Sequence, residues 1–331
     1  MEDPLSVRPE QLLKDLGALW IDLGKEETAG SDRSAGVLRA VTMTFILGIA
    51  EGEDEIAASE TLALLMHDHP SRAIVLKLRR DVSSEIDGRA FAQCWMPFGR
   101  RQQICCEQIE LSAGSDHFQD MLSLLRGLIA PDLPVVFWCR SAELFSHASF
   151  AGIAAMADKI ILDSRNHQKP AETLSVMDRN LKAGQMVGDL TWARLTRWRQ
   201  TVSTAFERLD CQSFFHQINR VVIQYTHAPE PMVVAYLSAW LKSILGLNFP
   251  VERVLVAEDV SWQIRGLRFE TPLTDIVIER SEKGIVESHI RGFTTRSVFE
   301  ELDEVRLVRE ELAILGRDPI FARVVEIASQ S

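Results

Sequence analysis

Between residues 41 and 163, short apolar runs rich in β-branched residues alternate with amphipathic stretches of helical length, and proline or glycine marks most of the joins. This alternation constrains the fold more than any other feature. A continuous apolar run of about four to eight residues suits a strand covered on both faces, and a helix-length connection between two such runs suits a parallel crossover. Strands are expected over residues 41–50, 73–78, 135–139 and 159–163, with two more over 90–98 and 103–111. Helices are expected over residues 53–66, 116–129 and 144–157. Glu53, Asp54 and Glu55 put negative charge in the first turn of the first helix, where it complements the dipole. His69-Pro70 ends that helix, because proline cannot continue it and restricts the residue before it. The fold class implied is α/β, a mostly parallel sheet flanked by helices.

Outside this stretch the pattern changes. Residues 9–20 carry leucines at helical spacing, and residues 25–34 read as a polar, glycine-rich loop. After a polar stretch at 166–170, helices are expected over 173–183, 189–209 and 231–245, with a strand over 220–225. About four strand-like runs follow between residues 253 and 293, two of them flanking a Ser281-Glu282-Lys283-Gly284 hairpin turn. Helices over 298–315 and 319–328 finish the chain, Asp318 capping the last and Pro319 opening it. With 331 residues, the chain exceeds the length at which one core usually stops growing. The expected organisation is an N-terminal helical extension (1–39), an α/β domain (40–168) and an α+β domain with an antiparallel sheet (169–331).

The formal net charge is -11. A surface of that sign repels phosphate backbones and anionic membranes, so neither nucleic acid nor membrane is an expected partner. The longest apolar stretches, 43–49 and 233–241, are too short to span a bilayer, and residues 1–11 hold no signal-like run, which points to the cytoplasm. The five cysteines are Cys94, Cys105, Cys106, Cys139 and Cys211, and four of them lie in apolar, strand-like runs. Their spacing matches no zinc site, so neither a metal site nor a disulfide framework is expected; redox sensing through Cys105 or Cys106 is the lesser reading.

Catalytic motifs are missing. The chain has no dinucleotide-binding glycine motif, P-loop, nucleophile elbow or HExxH, and no cofactor is implied. The loops after the parallel strands read Glu51-Gly52-Glu53 and Ser141-Ala142-Glu143; the first would repel a phosphate and the second suits a helix cap. His67-Asp68-His69 has the residue types of a metal pair but suits a polar helix end. The carboxylates Glu300, Glu301, Asp303, Glu304, Glu310 and Glu311, interleaved with Arg306 and Arg309, read as a solvated, salt-bridged helix.

One segment stands apart. Residues 189–199 hold two tryptophans and three arginines. At helical spacing Trp192, Leu195, Trp198, Val202, Phe206 and Leu209 form one stripe, with Arg194, Arg197 and Arg208 opposite and Arg199 at its edge near Trp192. The stripe suits a core. The arginines suit either a solvated face or a face docking on an acidic or phosphate-bearing surface, since Arg and Trp are enriched at binding hot spots. The candidate partner-binding set is therefore Arg194, Arg197, Arg199, Arg208, Trp192 and Trp198.

Asp189-Leu190, Trp192, Arg194-Leu195 and Trp198-Arg199 resemble the D-L-x-W-x-R-L-x-x-W-R motif of the glucose-6-phosphate dehydrogenase assembly proteins, the OpcA family. Three further stretches agree in order: His69-Pro70-Ser71-Arg72; Pro131 to Val135 followed by Trp138; and Glu311-Leu312 through Leu315 to Asp318-Pro319. The resemblance spans about residues 40 to 322. It implies a non-catalytic protein that binds glucose-6-phosphate dehydrogenase and promotes its assembly or active state. The motif positions Asp189, Leu190, Leu195, His69, Pro70, Arg72 and Trp138 would then be structural. The alternatives are an enzyme acting on a sugar phosphate, or a module that senses a metabolite.

Overall fold

The computed structural model describes residues 8–29, 37–95, 103–207, 216–256, 260–273, 275–282, 284–290 and 292–330. Two compact units divide the chain, Met1–Leu162 and Asp163–Ser331.

The first unit opens with helix α1 (Pro9–Ala29) and strands β1 (Val37–Arg39) and β2 (Met43–Ala50). Then come α2 (Glu55–Asp68), β3 (Ser71–Leu78), β4 (Asp87–Trp95), β5 (Gln103–Ala113), α3 (Ser115–Leu128), β6 (Val135–Cys139), the short helices α4 (Ala142–Ser146) and α5 (Phe150–Ala154), and β7 (Lys159–Leu162). Its strands are hydrogen-bonded in the order β1-β5-β3-β2-β6-β7, all parallel, while β4 pairs antiparallel with β5. Nearly every residue of β2, β3 and β6 is buried, as their unbroken apolar runs require. The α/β expectation is met.

A buried carboxylate in this unit is partnered several times over, whereas Glu53 Oε2 and Trp138 Nε1 are buried with no hydrogen-bond partner among the described residues. Glu107 is completely buried on β5 and accepts from the Arg72 Nε at 2.6 Å and the Trp20 Nε1 at 3.1 Å, with Arg39 paired to the same carboxylate. Arg72 also donates to the Leu128 carbonyl at 2.9 Å. His69 closes α2, the Pro70 carbonyl accepts from the Thr42 hydroxyl at 2.7 Å, and Trp138 is fully buried with its ring edge-on to Phe45. Asp132 turns the chain into β6 with φ 61°, a left-handed conformation that a short polar side chain tolerates.

Some expectations fail here. Cys94 and Cys105 face each other across β4 and β5 and form a disulfide, so the absence of disulfides is corrected: pairing depends on strand register, which cysteine spacing does not encode. Cys106 and Cys139 are buried free thiols, and burial pushes Cys106 up to about 11 and raises Cys139 further. Cys211 lies outside the described residues. The helix expected over 144–157 is broken, because His147 takes an extended conformation and its Nδ1 accepts the Ser149 N–H at 3.1 Å. Residues 25–29 of the loop expected at 25–34 are helical instead: α1 runs on through Ala29, a stretch of helix formers after Gly24. Residues 30–34 are outside the described residues.

The second unit comprises a 3-10 turn (Ser164–Asn166), α6 (Pro170–Lys182), β8 (Met186–Asp189), α7 (Leu190–Arg194), α8 (Thr196–Glu207), β9 (Arg220–Tyr225), α9 (Met232–Leu245), β10 (Val251–Leu255), β11 (Ile264–Glu270), β12 (Ile276–Glu282), β13 (Ile285–Ile290), β14 (Phe293–Val298), α10 (Glu304–Ala313) and α11 (Pro319–Ser329). Its six-stranded sheet runs β10-β9-β11-β12-β13-β14. The sheet is antiparallel except for β9 and β10, which pair parallel because α9 carries the chain back between them. Helix α11 packs against both α6 and α9.

The helix expected over 298–315 starts at Glu304, capped by the Asp303 carboxylate, and Val298 belongs to β14. Strand pairing with β13 overrides helical patterning there. Glu311, expected on a solvated face, is buried, and a side chain at Gly188 would collide with its carboxylate.

Candidate functional site

The Trp/Arg segment starts where β8 ends. Asp189 caps α7, its Oδ1 accepting from the Thr191 N–H at 2.9 Å. The same oxygen accepts from the Ser164 N–H at 3.1 Å, while Oδ2 accepts from the Tyr236 hydroxyl at 2.7 Å. The carboxylate is completely buried. Burial pushes its pKa above the ordinary carboxylate range, against the pull of these donors, and the Asp163 charge adds to the rise. Burial likewise depresses the His167 imidazole, opposed by Asp189 and Asp163.

The single helix expected over 189–209 is divided at Leu195, whose N–H turns back to the Trp192 carbonyl. The two tryptophans therefore enter different clusters. Trp192 packs against Phe321 at 5.7 Å and edge-on to Tyr236 at 6.3 Å between ring centres. Its Nε1 donates to Asp318 Oδ2 at 3.1 Å, and Asp318 Oδ1 caps α11. The central motif and the Asp-Pro ending are thus joined by one hydrogen bond. Trp198 is buried edge-on to Phe299 at 5.1 Å. Leu190 and Leu195 are fully buried.

The arginines separate by role. Arg194 reaches Asp163 through both terminal nitrogens, at 2.7 and 2.8 Å. Burial opposes its charge, but the Asp163 hydrogen bonds and charge outweigh it and hold its pKa above the ordinary value. Arg199 lies over the Trp192 ring at 3.7 Å and donates to the Thr196 hydroxyl at 3.0 Å; burial lowers its pKa. Arg197 is exposed. Arg208 and Leu209 lie outside the described residues.

Arg197 and Trp198 border a cavity of about 130 Å³, shared with Arg165, Arg194, Trp262 and Arg280 among others. The Arg280 guanidinium sits 5.9, 5.7 and 5.7 Å from the ring centres of Trp198, Trp262 and Phe299. Its Nε and Nη1, and the Trp262 Nε1, are buried with no hydrogen-bond partner among the described residues. Burial depresses the Arg280 pKa, opposed by Glu301. A second groove, of about 410 Å³, runs from Arg197 and Gln200 to Phe293, Thr295 and Val298 on β14.

Neither Arg280 nor Trp262 figures among the sequence candidates. One signal was there: Ile276, Ile278 and Arg280 share a strand face, and the two isoleucines are core residues. Elsewhere, His67 stacks on Trp95 at 4.7 Å, and among the described residues no three His, Cys, Asp or Glu side chains gather as metal ligands. No helix among them is long and apolar enough to cross a membrane.

Two family models match this chain. The glucose-6-phosphate dehydrogenase subunit N-terminal domain matches residues 63–179, and the corresponding C-terminal domain matches residues 185–325. The chain belongs to the OpcA family. The names in this family tie it to glucose-6-phosphate dehydrogenase assembly and the oxidative pentose phosphate cycle. The putative OxPP cycle protein OpcA of Nostoc punctiforme is 26% identical over 204 residues, covering 60% of this chain and 42% of that protein. The Synechocystis OpcA is 27% identical over 195 residues, covering 58% and 38%. The chain therefore spans less than half the length of these OpcA relatives. Among solved structures, UDP-N-acetylglucosamine 3-dehydrogenase GnnA from Acidithiobacillus ferrooxidans is 8% identical, with coverage of 88% and 97% and a TM-score of 0.44. At that level the likeness carries no argument about this chain.

Proposed function

We propose that this chain is a non-catalytic partner of glucose-6-phosphate dehydrogenase, which it binds and shifts toward an active oligomer or conformation. The family match across both units supports this reading. A protein that binds one state of an enzyme more tightly than another redistributes the population by mass action. Raising a poorly populated active state to dominance takes a differential affinity of roughly 3–5 kcal/mol, within reach of an interface burying about 1,000 Å² or more.

The Arg197 groove and the edge strand β14 suit such contact. Phe293 and Val298 are 63% and 78% exposed there, and an edge strand offers unpaired backbone groups to a partner. Arg194 and Arg199 are less suited, being engaged with Asp163 and Trp192. Activity of the dehydrogenase from the same cell, measured against increasing amounts of this chain, should change saturably. Arg197→Glu should weaken the effect while leaving the unfolding midpoint in place. A flat response with a demonstrably folded chain would defeat the proposal.

A further inference from the structure

The cavity beside Trp198 holds more positive charge than its own residues neutralise. Four of its lining residues are arginines, against the carboxylates Glu300 and Glu301. Arg194 is taken by Asp163, and Glu300 is paired to Arg306 at 3.4 Å. Arg165, Arg197 and Arg280 then face Glu301 alone, leaving an excess of two positive charges. A guanidinium nitrogen buried without a hydrogen-bond acceptor is unfavourable, and a bound anion relieves it.

We propose that this cavity, which shares Arg197 with the groove described above, binds a small phosphate monoester in the chain on its own, without the dehydrogenase. Such a group carries close to two negative charges near pH 7 and offers three strong acceptor oxygens. The planar donor fork of arginine fits it in paired hydrogen bonds. A carboxylate brings one charge and would leave the other uncompensated. The cavity of about 130 Å³ opens to solvent, so it admits a phosphoryl group and the adjoining carbons while the rest of a sugar ring extends outward. Trp198, Trp262 and Phe299 provide an apolar wall for the carbon skeleton, and the Trp262 Nε1 adds a donor.

The test is a titration of the full chain with a hexose monophosphate, the parent hexose and the matching hexuronate, read by tryptophan fluorescence and thermal shift. The monophosphate should bind saturably and at least about tenfold more tightly than the hexuronate, with no saturable binding of the hexose. Arg280→Gln should weaken binding by about ten- to a hundredfold, the scale of a lost charged hydrogen bond. The exposed Arg197→Glu supplies the same comparison if Arg280→Gln does not fold. Absence of saturable monophosphate binding, equal binding of the hexuronate, or wild-type binding by both variants would overturn the proposal.

Discussion

Replacing Tyr236 with phenylalanine removes one oxygen and leaves the ring in place. That hydroxyl donates to Asp189 Oδ2 at 2.7 Å and lies 3.2 Å from Met177 Sδ. The ring contacts with Trp192 and Phe321 are retained, so the packing loss is small. What is lost is a hydrogen bond to a fully buried carboxylate, a change of about 1.5–3 kcal/mol. For a unit of this size each kcal/mol moves the thermal midpoint by about 2–4 °C, so a fall of about 3–12 °C is expected. Calorimetry on Tyr236→Phe, Asp189→Asn and the double variant completes the cycle. In the Asp189→Asn background the hydroxyl faces a neutral amide, so its removal should be milder, by about 1 kcal/mol. A midpoint shift below about 1 °C, or equal effects in both backgrounds, would refute the claim that the motif aspartate is a buried structural anchor.

Three other outcomes follow from the geometry. Glu107→Ala leaves the largely buried Arg72 without its carboxylate and should destabilise the first unit by about 3–5 kcal/mol in urea unfolding; a loss under about 1 kcal/mol would contradict it. Gly188→Ala drives a methyl into the buried Glu311 carboxylate and should lose about 1–3 kcal/mol by the same assay, whereas an unchanged midpoint would mean that Glu311 moves freely. His167 is depressed in the folded chain, so as pH falls below the ordinary histidine value the unfolded chain takes up a proton that the folded one refuses. Stability should therefore decline from about pH 7.5 toward about 5.5, the span around the ordinary histidine pKa, and decline less in His167→Gln; parallel profiles would exclude His167 as the source.

What the sequence revealed depended on whether local pattern or distant contact decides each element. The runs 135–139 and 220–225 are strands with the expected bounds, since apolar β-branched residues next to breakers act locally. The fold class followed from the spacing of such runs. Helical periodicity over 189–209 could not register the break at Leu195, because a stripe stays in phase across a short turn. Glu311 read as surface because its charge matches its neighbours, while the glycine that makes room for it lies far away in sequence. The cavity was hidden for the same reason: Arg165, Trp198, Trp262 and Arg280 come from four separate elements or loops. Only the placement of Arg280 on the face of Ile276 and Ile278 could have exposed it.

The claim that this chain works by contact with an enzyme meets its most direct test in the mass of a mixture. Light scattering on glucose-6-phosphate dehydrogenase plus an excess of the chain should show a species heavier than either alone, and Arg197→Glu should diminish it. Two unshifted masses across the range of concentrations where the enzyme is active would contradict the account.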